Sequence, residues 1–370
     1  MVIFTSITAN YIPKARVLAR TVKKHCPHAR FVVMLCDALP PELHGSIEPF
    51  DELLQIEELG IPVANLEAWT FSLSVVELCT AVKGAAFLRL FEKYPTEKVM
   101  YLDPDIVVLD SLEPLERLLD QHSVLVTPHL TEPYDSHKLL VAHEAALMTY
   151  GIYNFGFLAV KDDAEGRRFA TWWRDRLTHY CHVDLPMGFF TDQRWGDLIP
   201  NFFPTTHVVR EKTYNVATWN LKQRKVECNA AGKLFVEGQP VRFYHFSGFD
   251  NGAFEVALKL YGADSEGLVP LAKWYRDELE KEGQSQFGKR PGHYACFDDG
   301  TPVMEWHRVF YRNRPFLADV FPNPYATTQA RCYLRFFEKQ GHLEYKRPPE
   351  FFAAPSSLRP SPIAFSPAVL

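Results

Sequence analysis

The sequence has no run of the roughly 18–20 consecutive apolar residues that a membrane span requires, so no transmembrane segment is expected. Disulfide chemistry is lacking as well. The seven cysteines are Cys26, Cys36, Cys79, Cys181, Cys228, Cys296 and Cys332. Their number is odd, they are scattered, and no CxxC pair occurs. That argues against a disulfide framework or a zinc site and fits reduced thiols in a cytoplasmic protein. An excess of one charge is missing too, since a net charge of −5 offers no basic surface to a nucleic acid. Neither G-x-G-x-x-G nor G-x-x-x-x-G-K-[ST] is present, which disfavours a dinucleotide fingerprint and a P-loop. The opening MVIFTSITANYIPKARV starts on a strand-like run without a charged leader region, so no signal peptide is expected. No internal repeat is apparent.

What is present is material for a large core. Of 370 residues, 47% are hydrophobic and 14% aromatic, enough for one large α/β domain with an appendage, or for two domains. Val2–Ile7 reads as a buried strand, and Pro13 suits the first turn of a helix that runs to about Lys24. Arg30–Cys36 reads as a second strand, ending at Asp37. Strand, helix, strand in forty residues predicts parallel pairing with crossovers. Further on, the pattern predicts two helices in Leu73–Tyr94, a helix over Leu112–Gln121 and strands at Ser123–Val126 and Tyr153–Val160. The helix Glu165–Tyr180 has Phe169, Trp172, Trp173 and Leu177 at helical spacing, which marks a core face. A helix near Thr191–Leu198, strands near His207–Val209 and Val241–His245, and a helix near Phe254–Tyr261 complete a domain over 1–282. Residues 283–347 form an aromatic, basic extension, and the Pro-rich 348–370 reads as a tail without regular structure. The extension reads as packing against the main domain, as an acceptor platform, as a dimer contact or as a membrane-surface patch.

The chemistry concentrates in Lys98–Asp110, KVMYLDPDIVVLD. An apolar strand ends there on Asp103 and Asp105, two apart. Carboxylates that close repel unless a cation lies between them, and hard divalent metals favour such oxygen ligands. Two solvated acids at a strand end are the plainer reading. The loops after Ile7, after Cys36 and at Asp103 fall on one sheet edge, where open α/β sheets bind ligands. Thr5, Ser6, Thr8 and Tyr11 are therefore expected to line a nucleotide pocket, with Asp37 accepting hydrogen bonds from a base.

Seven segments occur in an ordered set over roughly residues 1–260: TSITANYIPKARVLARTVKKHCP, ELCTAVKGAAFLRLF, KVMYLDPDIVVL, YNFGFLAV, TDQRWGDL, YNVATWNL and FYHFSG. In that order they resemble the GT-A-type, nucleotide-sugar-dependent glycosyltransferases, nearest the retaining family that contains glycogenin and bacterial lipopolysaccharide galactosyltransferases. The resemblance implies a Rossmann-type mixed sheet with helices on both faces. It implies that Asp103, Asp105 and His245 hold Mn²⁺ or Mg²⁺ against the diphosphate of a nucleotide sugar, with UDP the expected nucleotide. It places Arg89 against the donor sugar or the metal acids, and Asn154, Asp192 and Gln193 along the donor sugar, Gln193 facing the anomeric carbon. The bland alternatives are surface ion pairing for Lys83 and Arg89, helix capping for Thr191 and Asp192, and a strand-end histidine for His245.

One departure from the family pattern follows HFSG. The family has a phosphate-clamping lysine there, near a proline and a tryptophan, where this chain reads FDNGAF. Gly248 with the amides near Asn251 and Gly252, or alternatively Lys83, would have to replace it. The expected partners are a nucleotide-sugar donor and a glycan or lipid-linked acceptor, and no nucleic acid. Peripheral membrane contact and homo-oligomer formation both stay open. Asp192 and Asp250 are the candidate general bases should the reaction invert. Two rival functions are a haloacid-dehalogenase-type phosphatase using Asp103 and Asp298-Asp299, and a non-catalytic sugar-nucleotide or glycan-binding protein on the same fold.

Overall fold

The computed structural model describes residues 1–341, and the expected tail at 348–370 lies outside them. Seven strands form the main sheet, in the order Thr206–Val208, Val124–Pro128, Tyr153–Lys161, Lys98–Leu102, Val2–Ile7, Arg30–Leu35 and Glu52–Gln55. Tyr153–Lys161 alone runs against its neighbours, so the sheet is mixed. The expected α/β class with a mixed sheet is what the chain adopts.

Period-two alternation assigns the two faces. Ile3 and Ile7 join a core with Ile12, Ala15, Leu18, Ala19 and Val22 of the helix Ile12–His25. Phe4 points the other way, its ring 5.0 Å from Phe87 on the helix Lys83–Lys93. That helix packs on Ala164–Tyr180 so closely that a Cβ on Gly84 would overlap the backbone of Arg174. Trp173 is fully buried there, as its spacing predicts, stacked 5.4 Å from Phe169. Trp172 is half-buried against Phe203 at 5.3 Å.

Several elements differ from the reading above. The helix expected over Leu112–Gln121 spans only Glu113–Leu118. The one expected over Thr191–Leu198 spans only Gln193–Gly196, and a separate short helix, Ile199–Phe202, follows with Pro200, which has no N–H to continue the first helix, in its first turn. Glu52–Gln55, the three-stranded patch of Val226–Cys228, Leu234–Val236 and Gln239–Pro240, and the helix Leu268–Lys281 were not expected.

By packing, the described chain divides into two compact units. The first comprises 1–63 and 75–293, the second 64–74 with the chain from 294 onward. In the second unit Phe71 is ringed by Phe297, Tyr311, Tyr325 and Tyr333, with centroids 5.0–5.8 Å away. The buried Arg308 donates to Phe71 O at 3.0 Å and Leu73 O at 2.6 Å. A cluster of rings around one helix end thus draws a short N-terminal segment into the C-terminal unit. None of the described helices is long and apolar enough to cross a membrane.

Candidate metal and sugar-nucleotide site

The strand Lys98–Leu102 ends at Asp103, whose N–H donates to Gly156 O at 2.8 Å. Asp103 O then accepts from Ile106 N at 3.0 Å, which turns the chain. A short strand, Ile106–Val108, follows and pairs antiparallel with Phe243–His245, His245 opposite Ile106. Phe246 N donates to Asp105 O at 2.9 Å. This ladder brings a histidine from 140 residues downstream to the acid pair. His245 Nε2 lies 3.1 Å from Asp105 Oδ1 and 3.6 Å from Asp103 Oδ2. One ligand atom from each of the three lies within 4.8 Å of the others.

Around the imidazole the hydrogen bonds run in one direction. Gly156 N–H and Asn215 Nδ2 donate to Asn154 Oδ1 at 3.1 and 3.0 Å, which leaves the Asn154 amide nitrogen as donor towards His129 Nε2 at 3.3 Å. His129 Nδ1 lies 3.1 Å from Ile152 O, which can only accept. Asn215 Nδ2 also donates to Thr127 Oγ1 at 2.9 Å, so its Oδ1, 3.2 Å from His245 Nδ1, accepts the ring proton. His245 therefore keeps the Nε2 lone pair for the acids' side. Asn215 reaches this pose with φ +53°, a left-handed conformation that asparagine tolerates better than most residues. Gly156 makes room: a Cβ there would lie 2.8 Å from His245 Nδ1 and nearer still to Cε1.

The field at Nε2 favours positive charge. Burial alone would lower the imidazole pKa, but Asp105 and Asp103 outweigh it and hold the ring above its ordinary value. Burial likewise pushes the Asp105 carboxyl up, yet His245 and, more weakly, Lys14 pull it down to about 2. A site that draws a proton onto an imidazole between two carboxylates also suits a divalent cation with mixed N/O ligands. The three residues fit a metal.

Beside them, Tyr101 OH donates to Asp103 Oδ1 at 2.6 Å and meets Ser6 Oγ at 3.2 Å. Lys83 Nζ is buried 4.3 Å from the Tyr101 ring centroid and donates to Asp192 Oδ2 at 2.8 Å and Phe155 O at 2.9 Å. Burial would lower the lysine pKa, but Asp192 and Asp103 reverse the shift and keep it charged. Asp192 spends its carboxylate on this pair and caps no helix N–H.

Other expected residues take other places. Arg89 lies six residues beyond Lys83, about 240° around the helix, and pairs with Glu92 at 3.3 Å on an exposed face. One helix cannot aim both cations at the acids, so Arg89 stays outside the cluster. Gln193 Nε2 donates to Tyr150 O at 2.9 Å. Thr5 is fully buried, its Oγ1 without a partner among the described residues. Ser6 Oγ donates to Cys79 O at 2.6 Å and Thr8 Oγ1 to Asn10 Oδ1 at 2.7 Å. Asp37 accepts from the N–H groups of Ala9, Ala38 and His293 at 2.9, 2.9 and 2.7 Å, so its oxygens brace three loop segments. Tyr11 OH donates to Asp250 Oδ2 at 2.6 Å. Gly248, at φ +75°, accepts from Phe254 N at 3.1 Å. Asp298 and Asp299 accept from Thr327 N and Thr301 N in the second unit, each at 2.9 Å.

Four neighbours were not singled out from the sequence. Lys14 is 2% exposed, ion-paired with Asp250 at 2.5 Å and close enough to influence Asp105. Its signal was available, a lone lysine amid Ile12, Ala15, Val17 and Leu18. Tyr101 gave a similar one, a phenol inside a buried strand that must find a partner. Asn215 and His129 gave none, because their partners come from distant loops.

Residues 2–181, just under half the chain, match the model of glycosyl transferase family 8. The chain is 24% identical over 250 residues to the uncharacterized protein YfnD of Bacillus subtilis (strain 168), covering 66% of this chain and 76% of that one. It is 25% identical over 211 residues to YfnF of the same organism, covering 55% and 67%. Among solved structures it is similar to galactosyltransferase LgtC in complex with donor and acceptor sugar analogs, at 15% identity and a TM-score of 0.41, over 76% of this chain and 96% of that one. The match to glycosyl transferase family 8 over residues 2–181, with the metal-ligand geometry of the same unit, supports a glycosyltransferase.

Proposed function

We propose that the first unit, a GT-A-type domain, transfers a hexosyl residue from a nucleotide diphosphate sugar, a UDP-sugar in the first place, to a hydroxyl of a glycan or glycolipid at the cytoplasmic side. The observation that carries this reading is the convergence of Asp103, Asp105 and His245 on one point. They would hold Mn²⁺ or Mg²⁺, which when bound offsets charge building on the leaving diphosphate. The protein's own part is positional. Asn215 fixes the His245 tautomer, Tyr101 orients Asp103, and Lys14 adds positive charge beside Asp105. Lys83, held by Asp192, keeps a second cation in the same field.

Retention is the favoured course. Both candidate bases are engaged, Asp192 by Lys83 and Asp250 by Lys14 and Tyr11. A front-face displacement needs neither: the acceptor oxygen bonds to the anomeric carbon, the sugar–phosphate C–O bond breaks, and the acceptor proton passes to the departing phosphate oxygen. In the phosphatase reading Asp298 and Asp299 should be free to ligate, whereas both are tied to backbone amides of the second unit.

The test is a panel of nucleotide sugars with Mn²⁺, scored for slow donor hydrolysis and for transfer, with Asp105→Ala alongside. One donor should turn over and the variant should lose about 100-fold or more. No turnover, with UDP bound equally tightly by wild type and variant in the presence of metal, would favour the non-catalytic binding protein. Hydrolysis of p-nitrophenyl phosphate insensitive to UDP would favour the phosphatase.

A further inference from the structure

Two thiols meet at the carboxyl edge of the main sheet. Cys36 follows the strand Arg30–Leu35, and its N–H donates to Ile7 O at 2.8 Å. Cys79 lies on the short helix Val75–Ala81, and its carbonyl accepts from Ser6 Oγ at 2.6 Å. Consecutive residues of the first strand, Ser6 and Ile7, thus hold one cysteine each. The Cys36 and Cys79 side chains are hydrogen-bonded to one another, and both are free thiols. Other sulfurs have backbone partners instead. Cys26 Sγ accepts from Leu112 N at 3.4 Å, while Cys181 and Cys228 donate to Glu77 O and Asn229 O, each at 3.5 Å.

The pair is asymmetric. Cys36 is fully buried and Cys79 half-buried, so a small solute reaches the Cys79 sulfur first. The hydrogen bond with Cys79 and then burial hold the proton on Cys36, well above the ordinary thiol range. Cys36 therefore offers its S–H to the Cys79 sulfur, and a partner of that kind favours a thiolate. The two settings differ in stiffness as well. Cys36 adjoins Asp37, whose oxygens accept three backbone N–H groups, whereas Val75–Ala81 is a helix of seven residues with an exposed Val76. Any movement that draws the sulfurs together falls on the helix. Its Cys79 carbonyl begins a relay to the metal cluster: it holds Ser6 Oγ, Ser6 Oγ meets Tyr101 OH at 3.2 Å, and Tyr101 OH donates to Asp103 Oδ1 at 2.6 Å.

We propose that Cys36 and Cys79 form a modification site, a dithiol that a hydroperoxide converts to a disulfide, and that closing the bond loosens Asp103. The Cys79 sulfur attacks one peroxide oxygen, the O–O bond breaks, and the Cys79 proton leaves with the departing hydroxide as water, giving a sulfenic acid. The Cys36 sulfur then bonds to the Cys79 sulfur, the S–O bond breaks, and the Cys36 proton completes a second water. The two sulfurs lose two electrons in all, and the two peroxide oxygens gain them. A dithiol reductant reverses the change by exchange. In a reducing compartment such a bond is transient. The disulfide is independent of the glycosyltransferase reading, and its effect on metal binding rests on that reading.

The test treats the reduced full chain with a small excess of hydrogen peroxide, followed by intact mass, peptide mapping and calorimetric titration with Mn²⁺. The expected result is loss of two hydrogens, one cross-linked peptide joining Cys36 to Cys79, and Mn²⁺ binding weaker by about tenfold, the low end of what losing a supporting partner costs. Dithiothreitol should restore both mass and affinity. Cys79→Ser, at a half-buried position, should form no cross-link and keep its Mn²⁺ affinity under peroxide. A cross-link between other cysteines, or Cys79 oxidised to a sulfinic acid with Cys36 still free, overturns the site. A Cys36–Cys79 bond with unchanged Mn²⁺ affinity overturns the link to Asp103. A reduced wild type that binds no Mn²⁺ strikes the glycosyltransferase reading, while the mass map still decides the disulfide.

Discussion

Asn215 Oδ1 accepts the Nδ1 proton of His245 at 3.2 Å, and this one contact decides which ring nitrogen faces the two acids. Partners of this kind orient a ligand and tune its basicity, and their loss typically costs about 10–100-fold in metal affinity. Asn215→Ala should weaken Mn²⁺ binding by that factor, measured by titration calorimetry, with secondary structure retained. An unchanged affinity would show that the tautomer is set elsewhere.

Gly156 permits His245 to sit where it does, since an added Cβ would overlap the imidazole. Gly156→Ala should therefore cost at least about tenfold in metal affinity, in line with a misplaced ligand. The compensating change cannot be made at His245 itself, so His245→Ala in the same background should be no worse than His245→Ala alone. Additive losses in the double variant would contradict the steric account.

Lys83 and Asp192 form a buried pair, each with a side chain 4% exposed. Removing one partner strands the other's charge, a loss of about 3–5 kcal/mol. Lys83→Met should show that loss in urea unfolding, and Lys83→Met with Asp192→Leu should recover most of it. If the single variant is as stable as wild type, the pair carries no buried charge.

In the second unit His307 accepts the Met304 N–H at Nδ1 at 3.0 Å and is 7% exposed. Burial, helped by Arg308, lowers its pKa to about 4. An unfolded histidine titrates near 6.5, so the unfolded chain binds the extra proton between about pH 6.5 and 4. The contribution is therefore fully present above about 6.5 and is lost as pH falls towards 4, up to about 3 kcal/mol. His307→Leu should flatten the fall in denaturation midpoint between pH 7 and 4.5. An equally steep fall in the variant would assign the acid sensitivity to other groups.

Much of this protein was legible in one dimension. Val2–Ile7, Arg30–Leu35, Lys98–Leu102 and Tyr153–Lys161 announce themselves because strands buried on both faces need unbroken apolar runs. The acid pair was visible because two carboxylates at a strand end are chemically conspicuous. Residues whose role depends on a partner were less legible. Arg89 and Lys83 look alike along the chain, and only the helical turn between them sends one to the surface and the other into the cluster. Asp37 reads along the chain as a ligand for a base, and the structure adds what the sequence did not show, that its oxygens also accept three backbone N–H groups.

The sequence by itself therefore determined the long apolar strands of the main sheet and the acid pair, products of local periodicity and side-chain chemistry. Tertiary structure decided the rest. The antiparallel pairing of Ile106–Val108 with Phe243–His245 chose which of fourteen histidines joins Asp103 and Asp105. Hydrogen bonds that Asn215 donates to Thr127 and Asn154, and the one its Oδ1 accepts from His245, then chose which imidazole nitrogen faces them. Ladder register and hydrogen-bond direction are properties of pairs of distant segments, so they come into being only when the chain has closed on itself.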